Sequence, residues 1–199
     1  MSDHYQTLAA RTEFRHKIER SEFLGIAIPV ASEEEFFDEL HRIEKQHFDA
    51  THHCWAFRLR AGEDVRARSS DAGEPSGTAG KPILVAIEAA GVSDVAVVVV
   101  RWFGGIKLGT GGLSRAYRET AAETLRLAQR LDRYVYTRFR VVVPFDAFGI
   151  VYRLASPPDV VLQKETFAER NDFEFLVRTS ASERFAAALT ERRLEFVIE

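Results

Sequence analysis

Arg101, Lys107 and Arg115 are spaced around the string Gly109-Thr110-Gly111-Gly112, and that combination of residue types can hold an anion. A helix entered through such a string presents unpaired backbone amides and the positive end of its dipole, and glycine lets a ligand approach the main chain closely. The string is not a P-loop, because no Gly-x-x-x-x-Gly-Lys-Ser/Thr occurs and Lys107 precedes the final glycines. Nor is it a dinucleotide fingerprint, since Gly104-Gly105 and Gly109 lack that spacing. The alternative is that these glycines only shape tight turns and close helix packing.

Asp71 and Glu74 are the carboxylates of a first glycine turn, Gly73 to Gly80. They could act as an acid/base pair, hold a cation, or cap backbone amides. Ser69, Ser70, Ser76 and Ser114 belong to no nucleophile motif, and the absence of Gly-x-Ser-x-Gly argues against a serine hydrolase. His52, His53 and Cys54 invite a metal, but strand alternation lets only His52 and Cys54 share a face, and zinc ordinarily takes three or four protein ligands. His52 is therefore read as a packed or hydrogen-bonded histidine near the glycine turns, and no metal or other cofactor is expected.

These residues must be positioned by flanking elements. Nine of the twelve glycines fall between Ser69 and Tyr117, in the stretch SSDAGEPSGTAGKPILVAIEAAGVSDVAVVVVRWFGGIKLGTGGLSRAY. Pro82 suits the first turn of a helix over Ile83 to Ala90, which Gly91 can cap in a left-handed conformation. Val95 to Val100 reads as a strand covered on both faces. Gly111 and Gly112 open a long helix to about Leu131. Its core side carries Leu113, Ala116, Tyr117, Thr120, Thr124, Leu127, Ala128 and Leu131, and Arg115, Arg118, Arg126 and Arg130 with Glu119 lie opposite. That arginine stripe reads as a solvated face or as one that tracks phosphates.

Upstream, Phe23 to Pro29 alternates as an opening strand. Ser32 with Glu35 forms a capping box ahead of a helix bearing Phe36, Leu40 and Ile43. His52 to Leu59 alternates as a second strand, and Gly62 to Ser70 reads as a polar, mobile connection. From Arg133 the elements are short: strand Tyr134 to Val143, helix Phe145 to Ala155, strands Val160 to Ala168 and Phe173 to Thr179, helix Ser182 to Arg192 and strand Leu194 to Ile198. This β-α-β-β-α-β order is ferredoxin-like, with Asn171 and Asp172 as the turn between the middle strands.

The chain has 199 residues, 46% of them hydrophobic and 29% charged, enough for one large or two small domains. Its formal charge of −3 supplies no general attraction for nucleic acid, so such a partner requires a local basic face. The single cysteine, Cys54, excludes an intramolecular disulfide and reads as a small buried apolar group. No signal-peptide core or membrane-length apolar segment is present, and a cytoplasmic location is expected.

Three segments carry a family resemblance: DATHHCWAF at 49 to 57, SSDAGEPSGTAGKPIL at 69 to 84, and VVVRWFGGIKLGTGGLSRAY at 98 to 117. They resemble the Impact family in its bacterial YigZ-like branch. IERSEFLG at 18 to 25 is similar to the family's opening Lys-Ser-Arg-Phe segment, with Glu22 where a basic residue is usual. Ala72 departs from the usual Ser-Asp-Asp-Gly-Glu-Pro, which weakens any proposal built on paired aspartates. The resemblance implies an N-terminal domain like domain IV of elongation factor G and a C-terminal ferredoxin-like domain similar to its domain V. It also implies a role in regulation of translation, and it carries over no catalytic residue.

The expectation is thus an α+β protein with an Impact-type domain over 1–132 and a ferredoxin-like domain over 133–199. It would bind RNA, the ribosome or a translation factor through the groove between the glycine turns, without a catalytic step. Arg101, Lys107 and Arg115 would meet phosphates beside Gly109, Thr110, Gly111 and Gly112, and His52, Trp102 or Phe103 would stack or hydrogen-bond. Asp71, Gly73, Glu74, Pro75, Gly77, Thr78, Gly80, Gly104 and Gly105 would shape the groove. Two alternatives use the same residues. One is an enzyme for a small phosphorylated or carboxylated substrate, with Asp71 or Glu74 as base. The other is a protein-docking module anchored by Trp102 and Phe103.

Overall fold

The computed structural model describes residues 3–61, 64–144, 148–167 and 171–199. In chain order the first elements are β1 (His4–Leu8), β2 (Thr12–Ile18), β3 (Ser21–Pro29), α1 (Glu33–Gln46), β4 (His52–Ala61), β5 (Asp64–Ser70), α2 (Gly80–Ala90), β6 (Val95–Trp102), α3 (Gly109–Leu127) and β7 (Arg130–Tyr134). β8 (Tyr136–Val143), α4 (Phe148–Tyr152), β9 (Val160–Thr166), β10 (Asn171–Arg178), α5 (Ser182–Glu191) and β11 (Glu195–Ile198) follow. Two compact units result, one formed by Gln6–Asp132 and the other by Arg133–Glu199 with the first residues up to Tyr5. No helix among the described residues is long and apolar enough to cross a membrane.

The larger unit is built on a five-stranded antiparallel sheet in the order β2-β3-β6-β4-β5. The unbroken apolar sequence of β6 has a direct cause, because helices cover both faces of this central strand. Val95, Val97 and Val99 join Ile83 and Ile87 of α2 and Leu113 and Tyr117 of α3 in one buried cluster. Ala96, Val98 and Val100 join Phe36, Leu40 and Ile43 of α1 in another. α1 starts as its capping box requires: the Glu35 amide donates to Ser32 Oγ at 3.1 Å. The return bond runs from the Ala31 amide to Glu35 Oε2 at 2.6 Å, one residue before the usual donor, the N-cap amide.

The smaller unit carries a four-stranded antiparallel sheet in the order β11-β8-β10-β9, the arrangement expected of β-α-β-β-α-β connectivity. Phe139, Phe173, Phe175 and Phe185 fill its core. The whole chain is therefore α+β, as its patterning implies.

Several expectations need correction. Asp64–Ser70 is no mobile connection but the edge strand β5, paired with β4 from Trp55↔Ser70 to Ala61↔Asp64. α3 ends at Leu127, where Ala128 turns extended, and Leu131 lies in β7. Leu127 and Leu131 are accordingly exposed, and Ala121 and Leu125 take their places in the core. Asn171 and Asp172 begin β10 instead of forming the turn before it. The first residues of the helix expected from Phe145, and the end of the strand expected to reach Ala168, lie outside the described residues.

Candidate functional site

β4 and β6 run side by side with His52 opposite Arg101. Alternation turns His52, Cys54 and Arg101 to the sheet face covered by α2 and α3, and the loop from Asp71 to Gly80 closes over the end of that face. Asp71 makes the loop possible. Its carboxylate accepts from the backbone amides of Gly77, Ala79 and Gly80, each at 2.8 Å, and so caps α2 where the N-cap residue Ala79 has no polar side chain. Burial works against the charged form, but these three N–H donors outweigh it and hold Asp71 below the ordinary carboxylate range.

Glu74 points inward from the same loop. Its Oε1 accepts from Arg101 Nη1 at 2.5 Å and from the Tyr117 hydroxyl at 2.7 Å. The Glu74 and Arg101 side chains are only 4% and 5% exposed. Arg101 also donates to Ser21 Oγ at 3.2 Å, and its guanidinium lies 5.4 Å from the ring centres of both Phe23 and Phe103. Burial drives the Tyr117 hydroxyl well above its usual value, which keeps it a donor to Glu74.

His52 Nδ1 sits 2.9 Å from the Ala72 carbonyl, which can only accept, so Nδ1 carries a proton and Nε2 faces Glu74 Oε2 at 3.9 Å. The Cys54 thiol donates to the Asp71 carbonyl at 2.9 Å, and burial pushes it up to about 12. It is an inert buried group.

These residues form a buried polar lock that ties the first glycine loop to β4, β6 and α3. It occupies the two carboxylates considered as bases: Asp71 is held by amides and Glu74 by a cation and a hydroxyl. It also takes Arg101 out of the solvent-facing set, since its charge is buried and paired with Glu74. Thr78 is inward-facing too, its hydroxyl donating to the Pro75 carbonyl at 2.6 Å, whereas Gly73, Pro75 and Gly77 are exposed at the loop surface. Among the described residues no group of three or more His, Cys, Asp or Glu side chains is placed to hold a metal ion.

Trp102 also leaves the groove. As the neighbour of Arg101 on a strand it must face the other way, and it packs on the α1 side, with the Arg15 guanidinium 5.1 Å from its ring and His47 edge-on at 5.6 Å. Phe103 stays at the surface, 45% exposed, with its amide donating to Thr51 Oγ1 at 3.0 Å. Gly104 serves packing: a Cβ there would fall 1.8 Å from the Arg20 carbonyl oxygen. Gly80 does likewise, with a Cβ position 2.7 Å from the Ser70 backbone.

The second glycine string is different. Lys107, Gly109, Thr110, Gly111 and Arg115 are exposed, as is Gly105 before them. α3 begins here without a side-chain cap and without an acidic residue in its first turn. Lys107 and Arg115 line one cavity of about 420 Å³ with Ile18, Glu19, Ile106, Leu108, Gly112 and Glu119. Neither cation makes an ion pair among the described residues. The structure thus separates two groups that the sequence reads as one groove: an inward set around Glu74 and Arg101, and an outward set around Lys107 and Arg115.

Tyr117, Ser21 and Cys54 belong to the inward set beyond the site residues that the sequence suggests. Tyr117 lies four residues beyond Leu113 on the core side of α3, so its burial was legible, but its hydroxyl's partner was not.

The Impact N-terminal domain pattern matches residues 19–125, which contain the inward set around Glu74 and Arg101 together with Lys107 and Arg115. The chain belongs to the Impact family. IMPACT family member YvyE of Bacillus subtilis (strain 168) is 32% identical over 187 residues, 94% of this chain and 86% of that protein. An IMPACT family member of Thermus thermophilus, from the pol 5′ region, is 48% identical over 139 residues, 69% of this chain and 73% of its own length. A crystal structure described as that of a hypothetical protein superposes with a TM-score of 0.73 at 25% identity, covering 99% of this chain and 98% of that one. Ala72 adopts φ +43°, a left-handed region that alanine tolerates less well than glycine, asparagine or aspartate.

Proposed function

We propose that this Impact family member is a non-catalytic regulator of translation that acts in the cytoplasm by binding RNA, free or within the ribosome. The observation that carries the reading is the exposed pair Lys107 and Arg115 beside the uncapped first turn of α3, with no carboxylate paired to either cation among the described residues. Cations and free amides on one face suit the phosphates of a nucleic acid, which supply most of the affinity in such complexes. The occupied state of Asp71 and Glu74 supports the non-catalytic part, because neither carboxylate is free to take a proton from a substrate.

The test is co-sedimentation of purified protein with ribosomal subunits, and filter binding to total RNA, for wild type and for K107E/R115E. Binding lost in the double variant supports the reading. Equal binding by both proteins contradicts it.

A further inference from the structure

We propose that the groove between α2 and α3 is a nucleotide site that takes a nucleoside 5′-phosphate, either free or as one unit of an RNA chain. The site rests on the RNA reading only through Arg115, which lines this groove as well as the cavity holding Lys107.

The groove has a volume of about 480 Å³, within the size range of small-ligand sites. Lys81, Arg115 and Arg118 line it against one carboxylate, Glu119, a balance of three minus one, or +2. The neighbouring cavity sets Lys107 and Arg115 against Glu19 and Glu119, a balance of zero. Lys81 and Arg118 are exposed and, like Arg115, make no ion pair among the described residues. Of the two cavities that share Arg115, the one between the helices therefore carries the larger net positive charge, while Lys107 and Arg115 remain exposed cations without an ion pair at the other among the described residues.

Its remaining wall is apolar. Val85, 39% exposed on a helix that otherwise buries its aliphatic face, forms its floor beside the edge of the buried Pro82 ring. Helical spacing brings the two characters together: Lys81 and Val85 are four apart on α2, and Ser114 and Arg118 are four apart on α3. A bare phosphate would use only the cations and an apolar molecule only the floor. A nucleoside phosphate uses both, with its base against Val85 and an arginine plane, and its phosphate among the three cations. Glu119 and Ser114 supply polar partners for hydroxyl or amino groups of such a ligand.

The experiment measures binding of the four nucleoside 5′-monophosphates by calorimetry, with the corresponding nucleosides and inorganic phosphate as controls. Wild type is compared with K81E/R118E and with V85W, which fills the floor without changing charge. All three substituted positions are exposed, and far-UV circular dichroism with a urea melt checks that the variants fold. The expected result is saturable binding of at least one monophosphate, at least about tenfold tighter than its nucleoside or phosphate alone, and weakened about tenfold or more in both variants. Competition by a short single-stranded RNA then assigns the nucleotide to an RNA chain, and its absence assigns a free nucleotide. No saturable binding of any monophosphate, or binding unchanged in both variants, overturns the proposal. Because K81E/R118E leaves Lys107 and Arg115 in place and K107E alone leaves the groove lining intact, nucleotide binding lost with RNA binding kept in the first, and RNA binding lost with nucleotide binding kept in the second, are separate outcomes, and either reading can fail alone.

Discussion

Glu74 and Arg101, 27 residues apart in sequence, meet at 2.5 Å with almost none of either side chain exposed. This contact ties the first glycine loop to the central strand β6, and the Tyr117 hydroxyl extends it to α3. The chemistry of the motif Asp-Ala-Gly-Glu-Pro is thereby turned inward, and its carboxylates hold the fold together.

Truncation of one partner should be costly. Glu74→Ala leaves Arg101 charged, buried and unpaired, and the expected loss is about 3–5 kcal/mol in urea unfolding. Tyr117→Phe removes one hydrogen bond and leaves the ion pair, so about 1–2 kcal/mol is expected. The double variant E74L/R101M should lose less than the sum of its single variants. Additive losses would mean that the pair does not act as a unit.

The glycines divide by what surrounds them. Gly104→Ala places a methyl 1.8 Å from the Arg20 carbonyl oxygen, and backbone has to move; a loss of about 1–3 kcal/mol or more is expected in the unfolding midpoint. Ala72→Gly should act in the opposite direction, because it relieves φ +43° at an exposed position; a gain of about 1 kcal/mol is expected. A stabilised Gly104→Ala variant would show that the approach of Arg20 is not a constraint.

Asp71 should make stability acid-sensitive in a defined window. Its folded value lies below the ordinary one, so its charge stabilises the fold fully above about pH 4, the unfolded value, and this contribution is lost as pH falls through the folded value. Asp71→Ala removes the cap of α2 and should cost about 1–2 kcal/mol at neutral pH. The gap between wild type and variant should be constant from pH 5 to pH 8, in the plateau above about pH 4, and should narrow as the solution is acidified further. A gap that widens on acidification would contradict the role of the charged form.

Elements with a strong apolar period were readable: β6, α2 with its Gly91 stop, and the strands and helices of the smaller unit. β5 was not, since its residues Asp64 to Ser69 are all exposed and give no alternation; it exists because β4 offers it a hydrogen-bonding edge. The sequence pattern of α3 runs past its end at Leu127 because Leu-Ala-Gln-Arg-Leu continues the helical spacing with no glycine or proline to stop it. The separation of the motif into an inward and an outward set was half legible. Adjacent positions on a strand face opposite ways, which separates Trp102 from Arg101 at once. That Arg101 faces a carboxylate and not solvent depends on Glu74 reaching it across the sheet end, and no local pattern announces a partner 27 residues away.

The central claim is that Lys107 and Arg115 are the outward working cations and Arg101 is not. The salt dependence of RNA binding tests this most directly, measured as the slope of log affinity against log salt for wild type and K107E/R115E at matched folded fraction. Each phosphate contact to a single strand contributes about 0.7 to the slope, so the variant should bind more weakly and show a slope smaller by about 1.4 or more. An unchanged slope and affinity would contradict the account and return the glycine string to a purely structural role.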